Sequence, residues 1–147
     1  MNRIVMMFGV GLIFAALSLS LVVAQFQHHE LQGKFGDSAI SLAWYDPNHL
    51  RGYISGGKVG YADCSWEFSA DFRTLTINTS AGRASQSYTI SKASSGVYKG
   101  VMPSAFGMGV DVSINIYADR ITGNVGLDAI DVKVVPPLGS GEVRGIW

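Results

Sequence analysis

Ala62-Asp63-Cys64-Ser65-Trp66-Glu67-Phe68-Ser69-Ala70-Asp71-Phe72 is apolar at every even position and polar at every odd one. A period of two sends the two sets to opposite faces of an extended strand. The stretch therefore reads as a half-buried β-strand, with Trp66 and Phe68 as its largest contribution to a core.

Its neighbours follow from keeping apolar residues on one face. Downstream, a reversal at Ala70 to Arg73 returns the chain through Thr74 to Thr79, with Phe68 opposite Leu75 and Trp66 opposite Ile77. Upstream, a three-residue loop, Gly56 to Lys58, sets Leu50 opposite Cys64 and Tyr53 opposite Tyr61. A two-residue loop would put Leu50 opposite Asp63, so the longer loop is expected, with a left-handed glycine. Before it, Ser38 to Tyr45 carries Ile40, Leu42 and Trp44 on one face. Asp46-Pro47-Asn48-His49 then turns the chain, because proline presets φ and Asp or Asn bonds local backbone.

The second half repeats the pattern. Ala84 to Ser91 is a weaker strand with Tyr88 and Ile90, and Val97 to Met102 follows a turn. Gly109 to Ala118 alternates Val110, Val112, Ile114 and Ile116 with polar residues. A tight reversal then sets Ile116 opposite Ile121 and Val112 opposite Val125, and Ala129 to Val135 closes the series. Helical periodicity is absent outside the leader. About eight or nine short strands with frequent turns indicate an all-β fold, a single small antiparallel barrel or sandwich. The short loops favour a mostly up-and-down order. A membrane-spanning barrel is the structural rival, but several strands fall short of the ~9–11 residues spanning needs, and Trp66 and Phe68 would then face lipid.

The chain has 147 residues and carries one positive charge near its start, Arg3, followed by an apolar run from Ile4 to Leu17 that Leu21 to Ala24 closes. This reads as a signal peptide over residues 1–24, cut before Gln25, with an uncleaved anchor as the alternative. Residues 25–36 are polar and aperiodic and read as a flexible N-terminal segment. A β-domain over 37–135 and a C-terminal tail over 136–147 complete the expected organisation. Such a protein would be periplasmic or extracellular. Its 11 basic and 11 acidic residues balance, which disfavours nucleic acid as a partner. Cys64 is the single cysteine, so no intrachain disulfide can form and burial must hold the fold.

Chemistry is sparsely signalled. Cys64 shares the inward phase with Trp66 and Phe68, so with His49 it reads as a buried hydrophobe rather than a nucleophile with its base. His28-His29-Glu30, with Met102 or Met108, has ligand types that suit copper or zinc, but adjacent histidines on a lead-in form no cage. Asp63, Glu67 and Asp71 line one polar face, the ordinary place for carboxylates. Asn78-Thr79-Ser80 fits a glycosylation acceptor in a eukaryotic source. Gly96-Val97-Tyr98-Lys99-Gly100, Pro103 and Gly109-Val110-Asp111 resembles the opening hairpin of the small barrel domain in envelope copper-stress lipoproteins. The resemblance covers little of the chain, falls late in it and lacks that family's paired cysteines, so it carries no function over.

The tyrosines are more informative. Tyr45, Tyr53, Tyr61 and Tyr117 occupy the phase that their strands leave polar. Exposed tyrosine can stack on a sugar or anchor a partner at low entropic cost. With Arg51 and Asp63 in the same phase, and Phe106 in the irregular Pro103 to Gly109 loop, these are the candidate binding residues. The expected function is an exported, non-catalytic β-domain that binds a partner protein or glycan through a sheet face or loops. Envelope copper or zinc handling, or a small secreted enzyme without a nameable catalytic set, are the alternatives. No cofactor or metal site is expected, and a membrane is a partner only if the leader stays. A filled interior would leave function to the outer surface, whereas an apolar cavity would favour carriage of a small molecule.

Overall fold

Phe68 pairs with Leu75 and Trp66 with Ile77, and Ile116 pairs with Ile121 and Val112 with Val125. Each register keeps the apolar set on one face, and every neighbouring strand does the same. In the computed structural model, which describes residues 26–104 and 107–147, these strands close into one antiparallel barrel. Its elements are β1 (His29–Phe35), β2 (Ser38–Asp46), β3 (His49–Gly56), β4 (Gly60–Phe68), β5 (Thr74–Ala81), β6 (Ala84–Ser94), β7 (Val97–Met102), β8 (Val110–Ile116), β9 (Arg120–Val125) and β10 (Asp128–Val135). Each strand pairs with its sequence neighbour, and β1 closes the ring on β10. The order is up-and-down throughout, and the architecture is a barrel rather than a sandwich.

There are ten strands, more than the eight or nine expected. The extra one is β1, which occupies the segment read as a flexible lead-in. Its inward positions are His29, Leu31, Gly33 and Phe35. A histidine and a glycine in the apolar phase conceal the alternation. The barrel therefore begins ahead of residue 37.

The β3–β4 hairpin corrects a second expectation. Its strands end at Gly56 and Gly60, leaving Gly57 to Val59 as a three-residue loop. Leu50 faces Trp66 and Tyr53 faces Asp63, two residues displaced from the expected pairing of Leu50 with Cys64 and Tyr53 with Tyr61. A shift of two preserves both faces, so the hydrophobic pattern cannot distinguish the registers. Gly57 has φ 59°, the left-handed conformation that glycine adopts without strain.

The side chains inside form two unlike halves. At the end holding the β2–β3, β4–β5, β6–β7 and β8–β9 turns, the interior is filled. Trp44 stacks on Phe68 at 5.8 Å, and Tyr98 meets Phe68 edge-on at 5.4 Å. The tail seals this floor, with Leu138, Val143 and Ile146 buried. Gly96 N–H donates to the Ile146 carbonyl at 2.8 Å, Leu138 N–H to that of Ala118 at 2.7 Å, and Lys92 Nζ to that of Gly145 at 2.8 Å. His29 clamps the tail from β1, its Nε2 2.7 Å from Glu142 Oε2 and its Nδ1 2.5 Å from the Pro136 carbonyl. Both ring nitrogens are thus engaged, one by the tail's backbone and one by its carboxylate.

Trp66 and Phe68 face inward, and the outward phase of β6 carries exposed Ser87, Thr89 and Ser91. That is the reverse of the apolar-out, polar-in pattern of spanning barrels.

Candidate functional site

The inward side chains of β4 shrink toward the mouth: the aromatic rings of Phe68 and Trp66 give way to Cys64 and then Ala62. Beside it, β5 ends on Ala81 and β6 starts on Ala84. A barrel of about eight strands has an interior that side chains can fill, and diameter grows with strand number. Ten strands lined by alanine at one end cannot be filled. The result is an open-ended cavity of about 680 Å³.

Its walls are mostly apolar: Ile40, Ile54, Ile77, Val110, Val125 and Ile130 surround it, with Trp66 and Cys64 on one side. Val59 and Leu127 stand exposed at the rim, on the β3–β4 and β9–β10 loops. β6 and β7 pair in register at Ser91, Lys92 and Ser94, and farther toward the mouth Gln86 Nε2 donates to the Pro103 carbonyl at 3.0 Å. Tyr88 and Met102 line the cavity from these two strands.

The polar groups inside are few and uncharged. Burial pushes the Cys64 thiol up to about 11, against hydrogen bonding from Trp66, so it stays protonated near neutrality. Burial likewise pushes Tyr88 up to about 12, with Cys64 adding to the rise. Asp128 is the one charged residue on the lining, among the described residues.

A thiol with a raised pKa is a poor nucleophile. His49, its candidate base, lies outside the barrel wall, with Nδ1 2.8 Å from Asp46 Oδ1 and Nε2 3.4 Å from Glu67 Oε1. The hydrogen bond to Asp46 leads the causes that raise its pKa. The two do not form a pair. His28 and His29 also part, because neighbours in a strand face opposite ways. His28 reaches Glu30 at 2.6 Å on the outside, while His29 is buried in the floor. Among the described residues, no three His, Cys, Asp or Glu side chains gather to hold a metal ion.

The four candidate tyrosines, Tyr45, Tyr53, Tyr61 and Tyr117, are exposed, but they do not form one patch. Tyr53 and Tyr61 sit diagonally on β3 and β4 and stack at 5.8 Å, 20° from parallel. Tyr61 OH donates to Asp63 Oδ1 at 3.1 Å. Arg51 and Asp63 line a shallow polar groove of about 510 Å³ beside them, with Ser65, Asn78 and Ser87. Tyr45 stacks on His49 at 6.0 Å near the floor. Tyr117 follows β8, five strands around a ten-strand ring from β3 and so on its far side. Phe106 and the leader lie outside the described residues.

The cavity escaped sequence reasoning because its signal is an absence of bulk. Ala62, Ala81 and Ala84 in the inward phase at the mouth ends of three adjacent strands are what could have shown it. Compared with known proteins, the chain matches no family model, no curated protein and no solved structure.

Proposed function

We propose that this protein is an exported, non-catalytic binding barrel that holds a small apolar molecule in its open-ended interior. The observation that carries this reading is the cavity of about 680 Å³, within the ~300–1,000 Å³ range of ligand pockets. Its apolar walls supply the driving force, since burying a ligand's surface there removes it from water. The expected export supports a carrier role outside the cytoplasm, where no disulfide is needed because the floor is sealed by packing.

The test is a titration with Nile red, a neutral dye that brightens in apolar surroundings. Saturable binding of one dye per chain is expected, and Ala62→Phe, which adds a ring at the mouth, should weaken it at least tenfold. Absence of saturable binding to the folded protein would refute the reading.

A second reading rests on the Tyr53–Tyr61 stack and the groove beside it. Two exposed rings next to Arg51 and Asp63 suit a glycan, which needs both a stacking face and hydrogen-bonding partners. A partner protein's side chain is the other occupant that fits. This surface lies outside the wall, so it can act alongside an occupied interior. Retention on immobilised oligosaccharides, lost when both tyrosines become serine, would support it.

A further inference from the structure

We propose that the cavity selects neutral apolar molecules carrying one hydroxyl or carbonyl group, which hydrogen-bonds to the Tyr88 hydroxyl. The proposal rests on the binding-barrel reading and specifies its ligand class.

The floor and the cavity treat polar atoms differently. In the floor, Tyr98 OH donates to the Phe72 carbonyl, Trp44 Nε1 to that of Pro47 at 3.3 Å, and both nitrogens of His29 are engaged. Tyr88, only 9% exposed, makes no side-chain hydrogen bond among the described residues. Yet no side-chain polar atom sealed from solvent lacks a partner among those residues. The Tyr88 hydroxyl is therefore accessible, on a side chain that lines the cavity. A phenol held there, mostly out of water, is both donor and acceptor for a guest.

The rest of the lining sets the charge rule. Among the described residues it contains no lysine, arginine or histidine, and its one charged residue is the rim carboxylate Asp128. Exposed Lys58 and Arg83 stand on the rim loops, but a carboxylate guest seated beside Tyr88 would lie buried with no cation among the described lining residues. Unpaired burial of charge is strongly disfavoured. A hydrocarbon would fit but leave Tyr88 unbonded, whereas an alcohol, ketone or aldehyde would satisfy it.

The experiment displaces Nile red with three probes of one shape: naphthalene, 2-naphthol and 2-naphthoate. On the wild-type protein, 2-naphthol should bind about two- to tenfold more tightly than naphthalene, the worth of one hydrogen bond. The 2-naphthoate should be the weakest of the three. Tyr88→Phe should bring 2-naphthol down to naphthalene and leave naphthalene unchanged. The ranking of the three probes on the wild-type protein tests the class even if that variant folds poorly. Equal binding of 2-naphthoate and 2-naphthol, or a 2-naphthol preference that survives in folded Tyr88→Phe, would overturn the proposal and leave the binding barrel standing. Failure of Nile red and all three probes would overturn both.

Discussion

The rings of Trp44 and Phe68 stack with centroids 5.8 Å apart and planes 18° apart, and they mark the level where the barrel changes from solid to hollow. Phe68 is enclosed by Trp44, Tyr98 and Phe72. Trp66, one step toward the mouth on the same strand, lines the cavity. Phe68→Ala should therefore cost about 3–5 kcal/mol, the range for emptying a packed aromatic site. Trp66→Ala should cost less, because its ring already borders empty space. Denaturant unfolding of the two variants gives the order.

Gly52 tests how the barrel closes. It faces inward opposite Leu42, and a Cβ there would collide with the Ser41 backbone carbonyl oxygen. Backbone cannot yield as a flexible side chain would. Gly52→Ala should destabilise by more than the about 1–3 kcal/mol of ordinary overpacking, read as a fall in denaturation midpoint or a failure to fold.

The seal between β1 and the tail should be acid-sensitive. Burial opposes ionisation of Glu142, but hydrogen bonds from His29 and from the backbone N–H groups of Gly139 and Gln27 outweigh it and hold its carboxyl below the ordinary 4.5. A carboxylate with a depressed folded pKa adds stability that is present above its unfolded value and lost as pH falls through the folded one. Amide exchange at Leu138 and Ile146, corrected for intrinsic rates, should thus gain relative to the strands between about pH 7 and about pH 3. In Glu142→Gln the tail should be looser at neutral pH, and that acid step should vanish.

Replacing Tyr53 and Tyr61 together with serine should change stability by no more than about 1.5 kcal/mol, the upper worth of an aromatic pair. Both rings are exposed, at 44% and 59%, and fill no core. A melting transition that stays cooperative and close to wild type is the expected outcome.

What could be read from the chain depended on how each residue reports its surroundings. The β4–β5 and β8–β9 registers were legible because a one-residue slip would turn a whole apolar set to water. The β3–β4 register was legible only to within two residues, since Tyr53 stays outside in either pairing. β1 was hidden by His29, whose burial depends on a carboxylate more than a hundred residues away. The tail was hidden because Leu138, Val143 and Ile146 follow no period and cap the floor by position alone. The outward phase of the tyrosines could be read, but not that Tyr117 lies across the barrel from Tyr53, which depends on ring closure. The cavity depended on strand number and on alanines that look like weak strand ends.

The most direct test of a hollow, ligand-accessible interior uses Cys64, the chain's single cysteine, which lines the cavity. N-ethylmaleimide, small and neutral, should modify it slowly in the native protein, because burial keeps the thiol protonated. Intact-mass spectrometry would follow the addition with and without saturating naphthalene. Suppression of the native rate by naphthalene, with no change in the rate for unfolded chain, is the result this account predicts. A native rate indifferent to naphthalene would contradict it.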